Sequence, residues 1–193
     1  MRRLVVNNSV TLDGVMQAPG HPDEDRRDGF AHGGWAGPYF DEVMAQHAGE
    51  GMTRTGGFVF GRRTYENFAS VWPQQGDANP FAAVLNRLPK HVASRTLRQP
   101  LSWANSALLD GDAADALGRL KSEPGGDLVI LGSGDLIRSL VPHGLIDELT
   151  LLVHPLVLGA GRRLFGDGAR FAFRLVDARP TTTGVIIATY QPG

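Results

Sequence analysis

Two short apolar runs that end in glycine constrain the fold of this chain more than any other feature. Phe58–Phe60 leads into Gly61, Leu128–Leu131 leads into Gly132-Ser133-Gly134, and a helix-compatible stretch follows each turn. Continuously apolar strands are typical of parallel sheets, because helices cover both faces of such sheets. The two strand-turn-helix units therefore predict an α/β domain.

The pattern of the remaining chain extends this alternation. Two strands follow each other directly at the end, and they predict an antiparallel edge on a mostly parallel sheet. We expect strands at 4–10, 58–60, 90–93, 107–109, 128–131, 146–153, 171–178 and 183–191, and helices at 38–47, 64–71, 81–88, 112–122 and 135–141. Since no repeat or linker interrupts the pattern, residues 1–193 are expected to form a single domain.

Composition excludes several classes of function. The 193 residues include no cysteine, which rules out disulfides, thiolate metal sites and cysteine nucleophiles. The formal net charge of -1 argues against nucleic acid as a partner. No apolar run approaches the roughly 20 residues of a membrane span, and no histidine or carboxylate pair shows metal-ligand spacing. We expect a cytoplasmic protein that has no metal and does not bind membranes.

The stretch Gly61-Arg62-Arg63-Thr64 has the composition of an anion site. Backbone N–H groups at the start of a helix lack partners and point outward along a partial positive charge, so they can receive phosphate. Arginine adds a planar fork that can grip phosphate through two hydrogen bonds. The alternative is an ordinary capped helix whose arginines are solvated.

Two further strand ends carry similar residues. Gly132-Ser133-Gly134-Asp135 lets the backbone approach a ligand, and Ser94-Arg95 delivers a hydroxyl and a guanidinium. Ligands of open α/β sheets bind beyond the carboxyl ends of the strands. Three such ends together suggest a dinucleotide with an additional phosphate, although the chain has neither a GxGxxG fingerprint nor a P-loop.

These segments resemble the NADPH-binding segments of the dihydrofolate-reductase-like superfamily. Within it they are most similar to the C-terminal domain of the riboflavin enzyme RibD, which is its reductase domain. The motifs that carry the resemblance are Ser9–Gly14, Gly34-Trp35, Gly61–Glu66, Ser94-Arg95, Gly132–Leu136 and Pro155–Gly159. The resemblance implies a three-layer α/β/α fold, NADPH as cofactor, and a homodimer formed through the C-terminal strands.

The resemblance also implies roles for individual residues. Arg62, Ser94 and Arg95 would hold the 2′-phosphate, and Val10, Thr11 and Asp13 would lie beside the nicotinamide. Residues 14–37 would act as a lid. The pyrophosphate would be held by Arg63, Thr64, Gly132, Ser133, Gly134, Asp135 and Leu136, and Gly61 would be a further cofactor-binding residue. The superfamily further implies a cis peptide bond at Gly132-Ser133.

The resemblance defines the catalytic and substrate-binding residues less clearly. Dihydrofolate reductases carry a carboxylate two residues after a helix-starting proline, and Phe40 occupies that position here. Asp41 comes one residue later, about 100° around a helix, which argues against dihydrofolate as substrate. We take Asp13 and Asp41 as candidate catalytic residues. Trp35, Tyr39 and Phe40 could stack on a flat heterocycle, or Trp35 and Phe40 could belong to the core.

The sequence thus predicts an NADPH-dependent reductase that transfers a hydride to a small heterocyclic substrate of the pterin or pyrimidine kind. Three alternatives stay open. The chain could be an authentic dihydrofolate or ribosylaminopyrimidine reductase, a nucleotide- or ligand-binding protein that keeps the fold without efficient turnover, or a subunit that requires a partner chain.

Overall fold

The computed structural model describes residues 1–76, 78–166 and 168–193. Its strands form one eight-stranded sheet with the order β4-β3-β2-β5-β1-β6-β8-β7. The strands are β1 (Leu4–Thr11), β2 (Thr55–Gly61), β3 (Lys90–Ala93), β4 (Ser106–Leu108), β5 (Asp127–Leu131), β6 (Glu148–His154), β7 (Phe173–Pro180) and β8 (Ile186–Pro192).

In the described ranges, five α-helices and four short 3₁₀ turns connect the strands. The helices are α1 (Glu42–Arg54), α2 (Arg62–Val71), α3 (Pro80–Arg87), α4 (Ala113–Ser122) and α5 (Gly134–Leu140). The 3₁₀ turns lie at Arg27–Gly29, Gly37–Tyr39, Trp72–Gln74 and Val141–His143. Within the described ranges, no helix has both the length and the hydropathy needed to cross a bilayer.

Strand directions confirm the predicted mixed α/β architecture. β1 pairs in parallel with β5 and β6, and β2 pairs in parallel with β3 and β5. β8 runs antiparallel to both β6 and β7, which forms the expected C-terminal edge. Parallel pairing brings the carboxyl ends of β1, β2, β3 and β5 to one edge of the sheet, where ligands of this class of sheet bind.

The two faces of the sheet bury different clusters. Leu128 and Ile130 of β5 face one side and pack with residues of α4 and α5. Phe58 and Phe60 of β2 face the other side and pack with Tyr65 of α2 and with α3. This alternation places the sheet between two helical layers, as a period of two along each strand requires.

The helix predicted at 38–47 is corrected by the structure. Pro38 lies in a 3₁₀ turn, and α1 begins at Glu42 and continues to Arg54. Asp41 is its N-cap, since the Asp41 carboxylate accepts a hydrogen bond from the Met44 N–H at 3.0 Å. Proline is a common first helical residue, but an aspartate that caps the first turn fixes the start of a helix more strongly.

A buried lysine closes the end of α3. Lys90 is 1% exposed, and its ammonium donates to the carbonyls of Leu85, Asn86 and Leu88 at 2.7, 3.3 and 2.8 Å. In a continuing helix the Leu85 carbonyl would accept from residue 89, but Pro89 has no N–H. The ammonium of Lys90 therefore supplies the donor that the proline lacks.

Candidate active site

A cleft of about 1200 Å³ opens beyond the carboxyl ends of β1, β2, β3 and β5. Among the described residues, seven arginines and five acidic residues line it, so this part of the chain gives the cleft an excess of positive charge. Of the thirteen residues that the sequence assigns to a cofactor, the cleft brings together Gly61, Arg62, Arg63, Thr64, Ser94, Arg95, Gly132, Ser133, Gly134, Asp135 and Leu136.

The first wall of the cleft is the junction between β2 and α2. Gly61 is the N-cap of α2, and no side chain caps this helix. Its first turn has no acidic residue, so the free N–H groups and the helix dipole favour an anion. The Arg62 guanidinium lies 3.5 Å from the Glu66 carboxylate, one helical turn along.

The second wall is the turn after β3. The Ser94 hydroxyl accepts hydrogen bonds from the N–H groups of Thr96 and Leu97 at 3.2 and 3.0 Å, which shapes the turn and leaves the hydroxyl proton available. Arg95 is exposed, and no ion pair among the described residues involves it. This guanidinium can therefore receive an anion without first losing a carboxylate.

The third wall is the glycine turn between β5 and α5. Gly132 and Ser133 both have left-handed backbones, with φ of 59° and 58°. A Cβ on Gly132 would lie 3.2 Å from Cγ2 of Thr64, so a side chain there would crowd the neighbouring turn. Gln99-Pro100 is the cis peptide bond of the described chain, and the expected cis bond at Gly132-Ser133 is wrong. Two successive left-handed residues reverse the chain instead.

One buried amide within residues 14–37, the expected lid, contacts both the lid itself and a distant part of the chain. Gln17 is 3% exposed, and its Nε2 donates to the carbonyls of Asp25 and Arg27 at 3.2 and 3.1 Å. Its Oε1 accepts from the Arg162 N–H at 2.9 Å. The sequence offered no signal for this role, because a glutamine in a polar loop is ordinarily solvated.

Glu24 is a second residue of the lid that sequence reasoning missed. It lines the cleft, and burial raises the pKa of its carboxyl group. Its Oε2 accepts hydrogen bonds from the N–H groups of Gly20 and His21 at 2.8 and 3.3 Å. A proton on this carboxyl group therefore belongs on Oε1.

Three residues expected beside the nicotinamide do not line the cleft. Val10 is 5% exposed and packs in the core. The Thr11 hydroxyl donates to Asp13 at 2.5 Å, and this bond, with further bonds from the Leu158 and Gly159 N–H groups, lowers the pKa of Asp13. In the structure Asp13 ties two loops together and does not line the cleft.

Asp41 likewise accepts hydrogen bonds that join separate parts of the fold. Besides capping α1, its carboxylate accepts from the Thr182 N–H at 2.7 Å and from the Thr182 hydroxyl at 2.6 Å. The Thr182 hydroxyl is the main cause of the lowered pKa of Asp41. All of these contacts lie outside the cleft, so Asp41 joins α1 to the β7–β8 connection.

The aromatic residues expected around the substrate are also placed elsewhere. Trp35 is 7% exposed and packs with Val15 and Phe30, and its indole N–H donates to the Gln17 carbonyl at 2.7 Å. Tyr39 meets the ring of His154 edge-on at 5.6 Å between centroids. Phe40 is 64% exposed and does not line the cleft. The core alternative is thus confirmed for Trp35, whereas Phe40 is a surface residue.

No group of three histidine or acidic residues in the described ranges could hold a metal ion. The arginines and exposed turns of the cleft suit an anionic organic ligand, because phosphate groups match their donors.

Comparison with known proteins agrees with this geometry. The family model described as the RibD C-terminal domain matches residues 2–187. The Bacillus subtilis protein YyaP is 26% identical over 197 residues, which cover 98% of this chain and 95% of YyaP.

Two solved structures share the fold. One, from Shewanella sp. PV-4 and described as a riboflavin biosynthesis protein, has a TM-score of 0.70 and 21% identity, with 99% of each chain covered. The other, a pyrimidine reductase-like protein of Corynebacterium diphtheriae, has a TM-score of 0.65 and 14% identity, with 100% of this chain and 92% of the other covered. These likenesses confirm the dihydrofolate-reductase-like fold, and the match over nearly the whole length shows that the chain belongs to the RibD C-terminal domain family.

Proposed function

We propose that this protein is an NADPH-dependent reductase that transfers a hydride to a small heterocyclic substrate, most closely of the pyrimidine kind. Membership of the RibD C-terminal domain family supports an oxidoreductase. The similarity to a pyrimidine reductase-like protein supports the class of substrate. Fold alone does not decide a reaction, so the proposal depends on the cleft.

The observation that carries the proposal is the pair of arginines at one end of the cleft. Arg95 has no carboxylate partner among the described residues, and Arg62 stands at the start of the uncapped helix α2. An arginine fork binds a phosphomonoester strongly. The 2′-phosphate distinguishes NADPH from NADH, so these residues predict a preference for NADPH.

The remaining walls can orient the rest of the cofactor. The turns Arg63-Thr64 and Gly132–Leu136 lie next to each other in the cleft and offer small residues and backbone donors. When bound, the nicotinamide supplies the hydride. The lid, fixed by Gln17, would exclude water, and Glu24 would hold a proton on Oε1 for delivery to the substrate.

A second candidate is a nucleotide-binding protein without efficient turnover. One observation favours it: Trp35 and Tyr39, expected to stack on a heterocycle, contact His154 instead. The two candidates share the cofactor cleft and differ only in whether hydride transfer follows binding.

A titration of NADPH and NADH by nicotinamide fluorescence tests the proposal. We expect NADPH to bind at least about tenfold tighter, which corresponds to roughly 1.4 kcal/mol, and Arg95→Ala to remove most of this preference. Arg54→Ala, an exposed arginine outside the cleft, serves as the matched control. Equal affinities in the native protein would refute the proposal. Tight binding without NADPH oxidation in the presence of pterins and pyrimidines would establish the second candidate.

We also propose a homodimer formed through the C-terminal strands. β7 is the last strand of the sheet and leaves Leu175 and Val176 exposed at 52% and 46%, and Ile186 of β8 is 47% exposed. Exposed apolar residues on an edge strand favour association. Sedimentation should give the mass of a dimer for the native protein and of a monomer for Leu175→Asp. Arg174→Asp, on the opposite face of β7, should remain a dimer. A monomeric native protein would refute the dimer.

NADPH is a coenzyme of the cell interior, so its proposed use supports the expected cytoplasmic location.

A further inference from the structure

Two hydroxyl groups join the first and third walls of the cleft. The Gly61 N–H donates to Oγ of Ser133 at 3.0 Å, and the Ser133 N–H donates to Oγ1 of Thr64 at 3.1 Å. We call this reciprocal pair of bonds the hydroxyl brace. Its partners are 72 and 69 residues apart in the chain, so the brace is a tertiary contact between two separate strand-turn-helix units.

The turns that the brace joins are packed closely together. Ser133 is 9% exposed. A Cβ on Gly61 would lie 3.7 Å from Cβ and Oγ of Ser133, and a Cβ on Gly132 would lie 3.3 Å from Oγ1 of Thr64. The distance at Gly61 is an ordinary van der Waals contact, whereas glycine at position 132 lets the two turns approach until the hydroxyls reach the opposite N–H groups.

The brace changes which donors a ligand can use. The N–H groups of Gly61 and Ser133 are both occupied by protein hydroxyls. A phosphate in the cleft is therefore left with the residues that follow, Arg62 and Arg63 on one turn and Gly134 on the other. The brace fixes the separation between these two sets of donors.

Ser133 itself has an unusual backbone for a residue with a side chain. Its φ of 58° and ψ of 44° are left-handed, a conformation that disfavours non-glycine residues by about 1 kcal/mol or more. Glycine would adopt it without strain. A serine here carries a conformational cost and in return provides the hydroxyl that receives the Gly61 N–H.

We propose that Thr64 and Ser133 are positioning residues, whose hydroxyl brace holds the two turns at the separation that a dinucleotide pyrophosphate needs. The proposal rests on the proposed function, because it assigns the cleft to NADPH. It assigns no contact between either hydroxyl and the cofactor. The residues act through the backbone of the turns they join.

Four variants test this role: Ser133→Gly, Thr64→Val, Thr64→Ser and the double variant Ser133→Gly/Thr64→Val. The readouts are the dissociation constants of NADPH and of adenosine 2′-monophosphate, together with the thermal midpoint. The second ligand carries the 2′-phosphate but no pyrophosphate, so it needs only one end of the cleft. Thr64→Ser retains the acceptor and is the conservative control.

We expect Ser133→Gly and Thr64→Val each to weaken NADPH binding by about 3- to 10-fold, as for the loss of one hydrogen bond. Affinity for adenosine 2′-monophosphate should stay within twofold. Ser133→Gly should change the thermal midpoint little, because the relief of left-handed strain offsets the loss of the hydrogen bond from the Gly61 N–H. Thr64→Ser should bind NADPH like the native protein. The double variant should lose less than the product of the two single losses, because the bonds form one unit.

The possible failures are distinguishable. If the native protein binds NADPH and Ser133→Gly binds it within twofold, the positioning role is wrong and the proposed function stands. If both ligands weaken equally and the thermal midpoint falls, the brace serves only the fold. If the native protein does not bind NADPH, both proposals are overturned.

Discussion

The ion pair between Arg62 and Glu66 gives a prediction about cofactor affinity. The two groups are 3.5 Å apart, their side chains are 39% and 45% exposed, and Arg62 lines the proposed 2′-phosphate end of the cleft. A bound phosphate must compete with the Glu66 carboxylate for the same guanidinium. Glu66→Gln keeps the size of the side chain and removes the competing charge, so it should tighten NADPH binding.

The magnitude follows from the exposure of the pair. In water, unit charges at this distance attract by about 1 kcal/mol, and exposed pairs one helical turn apart contribute about 0.3–0.5 kcal/mol. Release of Arg62 should therefore lower the Kd for NADPH by about two- to fivefold. The Kd for NADH should not change, because NADH has no 2′-phosphate.

Fluorescence titration at low and high salt measures the effect. The gain should shrink at about 0.5 M salt, where screening shortens the reach of exposed charges. Glu42→Gln, on α1 and outside the cleft, is the control. An unchanged Kd for NADPH, or an equal gain for NADH, would refute the assignment of Arg62 to the 2′-phosphate.

Three further predictions concern stability and proton transfer. Lys90→Met should lower the free energy of unfolding by about 2–4 kcal/mol, since the carbonyls of Leu85 and Leu88 lose their donor. Chemical denaturation measures this change, and the control Arg87→Met, at an exposed position, should change the free energy little. Burial lowers the pKa of Lys90 from 10.5 to about 8. Between these two pH values Lys90 is neutral in the folded protein and charged in the unfolded chain, so unfolding takes up a proton. The stability of the native protein relative to Lys90→Met should therefore rise with pH over this range. Asp41 has a lowered pKa, so the stability that it contributes is present above pH 3.8 and is lost as the pH falls through its folded pKa. The thermal midpoints of Asp41→Asn and the native protein should therefore converge in acid. If Glu24 delivers the proton, kcat should fall as the pH rises through its raised pKa, and Glu24→Gln should abolish that limb of the pH profile.

Local patterns predicted the strands well, and they also predicted that the residues following three of these strands would lie together in one cleft. The strand predicted at 90–93 is β3, and the run at 128–131 lies within β5. Each apolar run is long enough to specify a buried strand, and the glycine that follows specifies where the strand turns. The carboxyl ends of parallel strands share one edge, so residues distant in sequence could be placed together before their contacts were known.

Residues whose position depends on distant side chains could not be predicted in the same way. Asp41 was judged by its distance from Pro38, but its carboxylate is fixed by Thr182, which is 141 residues away. Asp13 is likewise held by Gly159, which is 146 residues away. No periodicity or spacing connects such pairs, and each pairing determines whether a carboxylate is available for chemistry or serves as a structural acceptor.

The two ends of the cleft are therefore determined by different features of the sequence. The proposed 2′-phosphate end is built from strand-to-helix turns, whose backbone geometry follows from a few adjacent residues. The lid end is built from Gln17, whose buried amide reaches Arg27 within the lid and Arg162 beyond it. Both partners are backbone groups, so a substitution of Gln17 itself would remove these contacts without altering the motifs of the turns. The proposed binding of the cofactor can thus be inferred from short segments, whereas the position of residues 14–37 depends on long-range contacts.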